Sequence, residues 1–222
     1  MKIKEEHVEK KKVVFGLGSG RCGSASLAYL LNSQEGALVG HELGPVMPWN
    51  ASDLTGIQFR WEQLQHQSHL YPIVGDVGIY YLPYIPMLMK SYELVPFINQ
   101  NYIIKFIILK RDREEVVESF LKKFAKQNNN PLQTEKEEGV RSDEWDECFP
   151  KYDGVSLKEA IGLFYDDYYK ESEQLVQAHP GNVCIFPMDS LNTDAGVLQI
   201  LNFVGIDEPR ILTAIRKNVS DT

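Results

Sequence analysis

Five short apolar, β-branched runs punctuate the chain, near 13–16, 37–40, 72–75, 103–109 and 183–186, and read as strands. Segments with apolar residues at three- and four-residue spacing read as helices near 24–32, 84–92, 112–126, 156–178, 192–203 and 208–216. Strands alternating with helices predict an α/β fold: one central parallel sheet flanked by helices on both faces. Ligands in such sheets sit beyond the carboxyl ends of the strands. The glycine-rich loop after the first run, then Glu42, Asp76 and Arg111, all follow predicted strands and gather on that edge. No internal repeat is present.

At 222 residues the chain reads as a single domain over 1–222, large enough to bury a substantial core. Its 43% hydrophobic and 24% charged content is that of an ordinary globular protein. No apolar run approaches the roughly 18–20 residues that span a bilayer. The opening MKIKEEHVEKKK is charged and lacks the apolar core of a secretory signal. Cys22, Cys148 and Cys184 are odd in number and lack metal-ligand spacing, which suits a reduced cytoplasmic location and predicts no metal centre. Cys22, within a loop that also carries Arg21, is expected to be somewhat reactive. A formal net charge of −8 argues against nucleic acid and anionic membrane surfaces as partners. The polar, turn-rich segment 127–150 reads as a lid or a disordered loop, with Trp145, Phe149 and Tyr152 either covering a substrate or stapling it to the body.

The richest stretch is VVFGLGSGRCGSASLAYLL, residues 13–31. A strand, a glycine loop and a helix N-terminus together form a phosphate-binding arrangement, and Arg21 adds a fork of donors. The triphosphatase loop G-x-x-x-x-G-K-[ST] fits Gly18 and Gly23, but Ser24 stands where its lysine belongs. The dinucleotide fingerprint G-x-G-x-x-G is present at Gly18, Gly20 and Gly23, with an acid, Glu42, further on for a ribose. A loop whose basic residue precedes the last glycine is a third reading, and a ligand-free turn a fourth.

A second motif lies in YIIKFIILKRDREEVVESFLKKF, residues 102–124, a buried strand running into a helix that Asp112 and Glu115 are placed to cap. Arg111 leaves the strand and Ser119 follows eight positions later. A guanidinium grips a terminal phosphate bidentately and a hydroxyl completes its shell.

In these two motifs the sequence resembles the sulfotransferases. Arg21, Cys22, Gly23 and Ser24 follow the order of that family's 5′-phosphosulfate loop, and Arg111 with Ser119 has the spacing of its 3′-phosphate site. Ala25 departs from the pattern, where a second hydroxyl is usual, and Ser26 is the nearest replacement. The resemblance is to divergent, bacterial-type branches. It implies a P-loop-like fold and transfer of a sulfuryl group from 3′-phosphoadenosine-5′-phosphosulfate to a hydroxyl or amine, leaving adenosine 3′,5′-bisphosphate. Gly20 to Ser26, Arg111 and Ser119 would hold the cofactor. The C-terminal R-K-G-x-x-G-x-W loop of the cytosolic hormone- and phenol-sulfating members is missing, and Arg216, Lys217 and Asn218 are its nearest stand-ins. The alternatives are an NAD(P)-binding reductase and a nucleotide-binding module without catalysis.

Sulfuryl transfer rests on positioning, a base and a cation. Arg21 is the expected cation. Glu42 is the favoured base and His41 the second choice; on an extended segment the two point opposite ways. Asp76 in VGDVG is a third candidate, more naturally a structural turn residue. His66 and His69 read as surface groups. The tyrosine clusters at 80, 81 and 84 and at 165, 168 and 169 read as packing with hydroxyls in water, or as an aromatic acceptor pocket. The acceptor, a small molecule or a glycan, is expected to bind in segments 45–70 and 127–155.

Overall fold

Alternation of side chains along β1 (Lys11–Leu17) places Val13, Phe15 and Leu17 on one face and Val14 on the other, all fully buried. Burial on both faces is the mark of a central parallel strand. The computed structural model describes residues 9–134, 145–207 and 210–212. Its five strands, β1, β2 (Ala37–His41), β3 (Ile73–Val77), β4 (Tyr102–Lys110) and β5 (Val183–Pro187), pair in parallel in the order β2-β3-β1-β4-β5. This is a single-domain α/β fold with a five-stranded parallel sheet.

Helices α1 (Ser24–Asn32) and α7 (Asp194–Val204) pack on the face carrying Val14, Ile107 and Leu109. The opposite face carries Val13, Phe15, Phe106 and Ile108. There it meets α2 (Thr55–Gln67), α3 (Ile85–Leu94), α5 (Arg113–Gln127) and α6 (Leu157–Ala178). The short α4 (Pro96–Asn101) leads into β4. A Cβ at Gly16 would lie 2.9 Å from Leu27 and 2.7 Å from Val77, so glycine there lets α1 settle on the sheet.

Helix starts follow their capping chemistry. Ser156 and Glu159 make a complete capping box at α6, and Thr193 accepts from the Gly196 N–H at α7. Asp112 accepts from the Glu115 N–H at 3.1 Å, but the Glu115 carboxylate turns back to Arg111 instead of closing the box.

Among the described residues two α-helices lie outside the predicted set, α2 and α4. Of the predicted helix 208–216, residues 210–212 are not helical and the rest lies outside the described residues. The middle of segment 127–150 does too, but its described ends are anchored. Phe149 packs edge-on against Phe120, Phe124 and Phe164, and the Tyr152 hydroxyl donates to Asp167 at 2.6 Å.

The tyrosines of α6 are buried, and their hydroxyls meet backbone instead of water. Tyr168 accepts from the Gly18 N–H at 3.1 Å, Tyr169 donates to the Leu109 carbonyl at 2.6 Å, and Tyr165 donates to the Arg111 carbonyl at 2.7 Å. One helix thereby pins both loops that leave the central strands. Cys22 is fully buried beneath Gly18, where a Cβ on the glycine would fall 2.2 Å from its sulfur. The expected reactivity is corrected: burial pushes the thiol pKa up to about 11 despite the nearby Arg111 and Arg21.

Two outcomes test this frame. Replacing Tyr168 with Phe strands the buried Gly18 N–H and is expected to cost about 1–3 kcal/mol, read as a lower urea midpoint at unchanged slope. At neutral pH, well below its raised pKa, Cys22 is a neutral thiol; mass spectrometry after iodoacetamide treatment should find it unlabelled in the folded protein and labelled in urea. Rapid labelling of the native protein would mean that the loop opens.

Candidate active site

Because all five strands run the same way, the loops leaving β1, β2 and β4 open on one edge of the sheet. After β1 the backbone enters the left-handed region at Gly20 (φ 90°), Arg21 (φ 57°) and Gly23 (φ 89°), and α1 then starts at Ser24. Arg21 is the costly member, since a side chain at positive φ is strained. Gly23 supplies no side chain to cap α1, so the positive end of that helix faces the loop.

The strained turn sends the Arg21 side chain across to α5, where its Nε donates to Ser119 Oγ at 2.9 Å. Arg111, at the end of β4, donates through Nη1 to the Arg21 carbonyl at 3.1 Å. The two motifs, 90 positions apart, therefore meet: two half-buried guanidinium groups and one hydroxyl share one corner of the edge. Glu115 occupies Arg111 through a 2.7 Å contact to Nε. Ala25 and Ser26 lie in the first turn of α1. The Cys22 side chain points into the core, so this residue has only backbone to offer a ligand.

At the end of β2, His41 Nε2 lies 3.0 Å from Ser24 Oγ, joining the second strand to the glycine loop. Glu42 does not continue the strand; its φ of 54° is left-handed, and its N–H donates to the Val77 carbonyl at 2.9 Å. The expectation that His41 and Glu42 point opposite ways is thus corrected. Alternation holds only for extended backbone, and this kink brings the Glu42 carboxylate to 3.9 Å from His41 Nδ1. Both side chains are about one-third exposed, at 33% and 29%.

Asp76 lies within β3 and is fully buried. It accepts from the Tyr81 hydroxyl at 2.6 Å and faces the buried Arg60 at 3.6 Å. It also lies 3.4 Å from the Leu43 N–H, so it supports the turn after Glu42 from below. Its neighbours leave it in a structural position. Tyr80, also buried, has its pKa raised by burial and by the carboxylates of Asp76 and Glu42, and a Cβ at Gly44 would lie 3.7 Å from its hydroxyl. Arg60 was not among the sequence-derived site residues; an arginine at a core-facing position of α2 is the signal that marks it. His66 and His69 are exposed at the end of α2. Arg216, Lys217 and Asn218 lie outside the described residues. Among the described residues no three His, Cys, Asp or Glu side chains gather as metal ligands, and no helix is long and apolar enough to cross a membrane.

Beside Glu42 opens a cavity of about 500 Å³, lined by the β2–α2 connection and the first turn and a half of α2. It begins at Leu43 and reaches Phe59.

No protein-family model and no curated protein sequence matches the chain. Among solved structures, a sulfotransferase from Alicyclobacillus acidocaldarius is similar over 96% of this chain and 88% of its own, with a TM-score of 0.54 and 14% identity. A shikimate kinase from Bacteroides thetaiotaomicron covers 87% of this chain and 98% of its own at 10% identity, with a TM-score of only 0.42. The first likeness is one of fold: the sheet and its flanking helices are arranged as in a P-loop-like sulfotransferase.

Proposed function

We propose that the protein is a sulfotransferase that moves a sulfuryl group from 3′-phosphoadenosine-5′-phosphosulfate to a hydroxyl or amine. The observation that carries this reading is the corner where Arg21, Arg111 and Ser119 converge. On a chain of net charge −8, two arginines gathered at one loop concentrate positive charge locally, which suits a doubly charged anion. The loop from Gly20 to Ser26 and the N-terminus of α1 would hold the 5′ end, and Arg111 with Ser119 the 3′-phosphate. When bound, the cofactor supplies the activated sulfuryl group. Arg21 would stabilise the charge that develops on the departing side. Glu42, about one-third exposed and one residue from the cavity lining, would accept the acceptor proton. His41 would hold Ser24 and the Glu42 carboxylate in register.

The first test is calorimetry with adenosine 3′,5′-bisphosphate and NAD side by side, followed by sulfuryl transfer from labelled cofactor. Binding of the bisphosphate is expected; binding of NAD alone would overturn the proposal.

Arg111→Ala is expected to weaken adenosine 3′,5′-bisphosphate much more than adenosine 5′-phosphate, by about 1.5–3 kcal/mol for each charge-assisted hydrogen bond lost. Ser119→Ala should show the same selectivity at smaller size, and Glu115→Gln, which frees Arg111, the opposite sign. Equal losses for both nucleotides would remove Arg111 from the 3′-phosphate.

Glu42→Gln should leave bisphosphate affinity near wild type while turnover falls on the order of 10²–10⁴-fold. His41→Asn, which releases Ser24, should act more on cofactor affinity than on turnover. The reverse pattern would assign the base to His41.

A further inference from the structure

We infer that the cavity beside Glu42 is a preformed acceptor site for an uncharged, hydroxyl-bearing molecule with an apolar body, such as an aliphatic alcohol or a phenol, and not for a sugar or an anionic acceptor. The inference rests on the sulfotransferase reading for its chemistry, but on the cavity itself for its specificity.

The volume of about 500 Å³ lies in the range of small-molecule sites. Its wall is mostly apolar: Leu43, Val46, Met47, Pro48 and Phe59 line it with two glycines and a second proline, and Asp53 and Thr55 are its two polar side chains. Leu43 is 64% exposed and Phe59 51% exposed, and both are cavity-lining side chains. Large apolar side chains that stay in water around a concavity mark a surface held for an apolar ligand.

Charge points the same way. The lining contains no Lys, Arg or His and a single carboxylate, Asp53. Its hydrogen bonds to Thr55 hold the Asp53 carboxyl below the usual carboxylate range, so it is ionised at neutral pH. An anionic acceptor would meet repulsion with no compensating cation. A sugar needs several directed polar partners, and this wall offers few.

The site is also built in advance. The Tyr84 hydroxyl lies 2.9 Å from the Pro48 carbonyl and 3.2 Å from that of Asp53, and the Trp49 N–H donates to the Glu147 carbonyl at 2.8 Å. Gly56 has no Cβ where one would lie 2.8 Å from Met47, so α2 closes against the cavity floor. Leu43 follows Glu42 directly, so the cavity begins one residue from the proposed base.

Binding is measured first without any nucleotide, by saturation-transfer NMR with octanol and with glucose as probes. Octanol is expected to bind and glucose not. Phe59→Asp, an exposed position whose change spares the core, should weaken octanol by roughly tenfold or more at an unchanged melting temperature. Transfer of labelled sulfuryl groups to both probes is measured second, and octanol is the expected acceptor. Glucose binding in preference to octanol, or octanol binding that Phe59→Asp leaves intact, overturns the assignment whatever the transfer assay gives. Octanol binding that depends on Phe59, with no transfer to any acceptor, overturns the sulfotransferase reading and leaves the apolar site standing.

Discussion

A glycine loop built around a strained, left-handed arginine cannot hold itself, and the candidate site depends on how this chain solves that problem. The turn after β1 carries a left-handed arginine, a conformation that costs of order 1–3 kcal/mol and persists only when its surroundings dictate it. The surroundings are the buried hydroxyls of α6. Tyr168 takes the Gly18 N–H, Ser19 Oγ lies 3.4 Å from Tyr169, and Tyr165 and Tyr169 bond to the carbonyls that close β4. Each hydroxyl needs a partner once buried, and each backbone group needs one too. The two requirements meet in a single helix, which fixes the Arg21 loop and the Arg111 corner relative to each other.

The other half of the edge rests on a buried charge. Asp76 and Arg60 face each other in the interior at 3.6 Å, with Tyr81 donating to the carboxylate. Such pairs add little net stability over an apolar replacement, yet losing one partner is costly because the other stays buried and ionised. What this pair holds is a shape. Asp76 supports the Leu43 N–H while the Val77 carbonyl takes the Glu42 N–H, and together they fix the kink that turns Glu42 toward His41. Glu42 is thereby held in place through its backbone.

How much of this was legible in the sequence follows from what each signal depends on. The strands show as runs because a strand buried on both faces is apolar at nearly every position, as in Phe106–Leu109. The long helices show through periodicity and caps. Helix α2 does not, because one of its three buried positions is Arg60, and a charged residue in a core slot erases the apolar spacing. The tyrosines of α6 were recognisable as packing, but where a hydroxyl ends up is a tertiary fact. The same holds for Cys22, whose position in a basic loop says nothing of its burial, and for Glu42, whose left-handed backbone is imposed by partners on β3. Local chemistry was readable; partners distant in sequence were not.

Strand order is the least local feature, and it bears directly on the glycine fingerprint. In the dinucleotide-binding order the strand after the first helix pairs directly with the first strand, which sets its terminal acid beside the glycine loop to take a ribose. Here β3 lies between β1 and β2, so the acid that ends β2 is one strand further out. The Gly18, Gly20 and Gly23 spacing is intact, but the acid it would need has moved. What bridges the gap is α1, whose first residue, Ser24, meets His41 at 3.0 Å. Glu42 then stands next to His41, one residue before the apolar cavity begins at Leu43. On the proposed reading the same glycines would serve a different division of labour: a phosphate corner on the β4 side of the loop, an acceptor cavity on the β2 side, and His41, bonded to Ser24, between them.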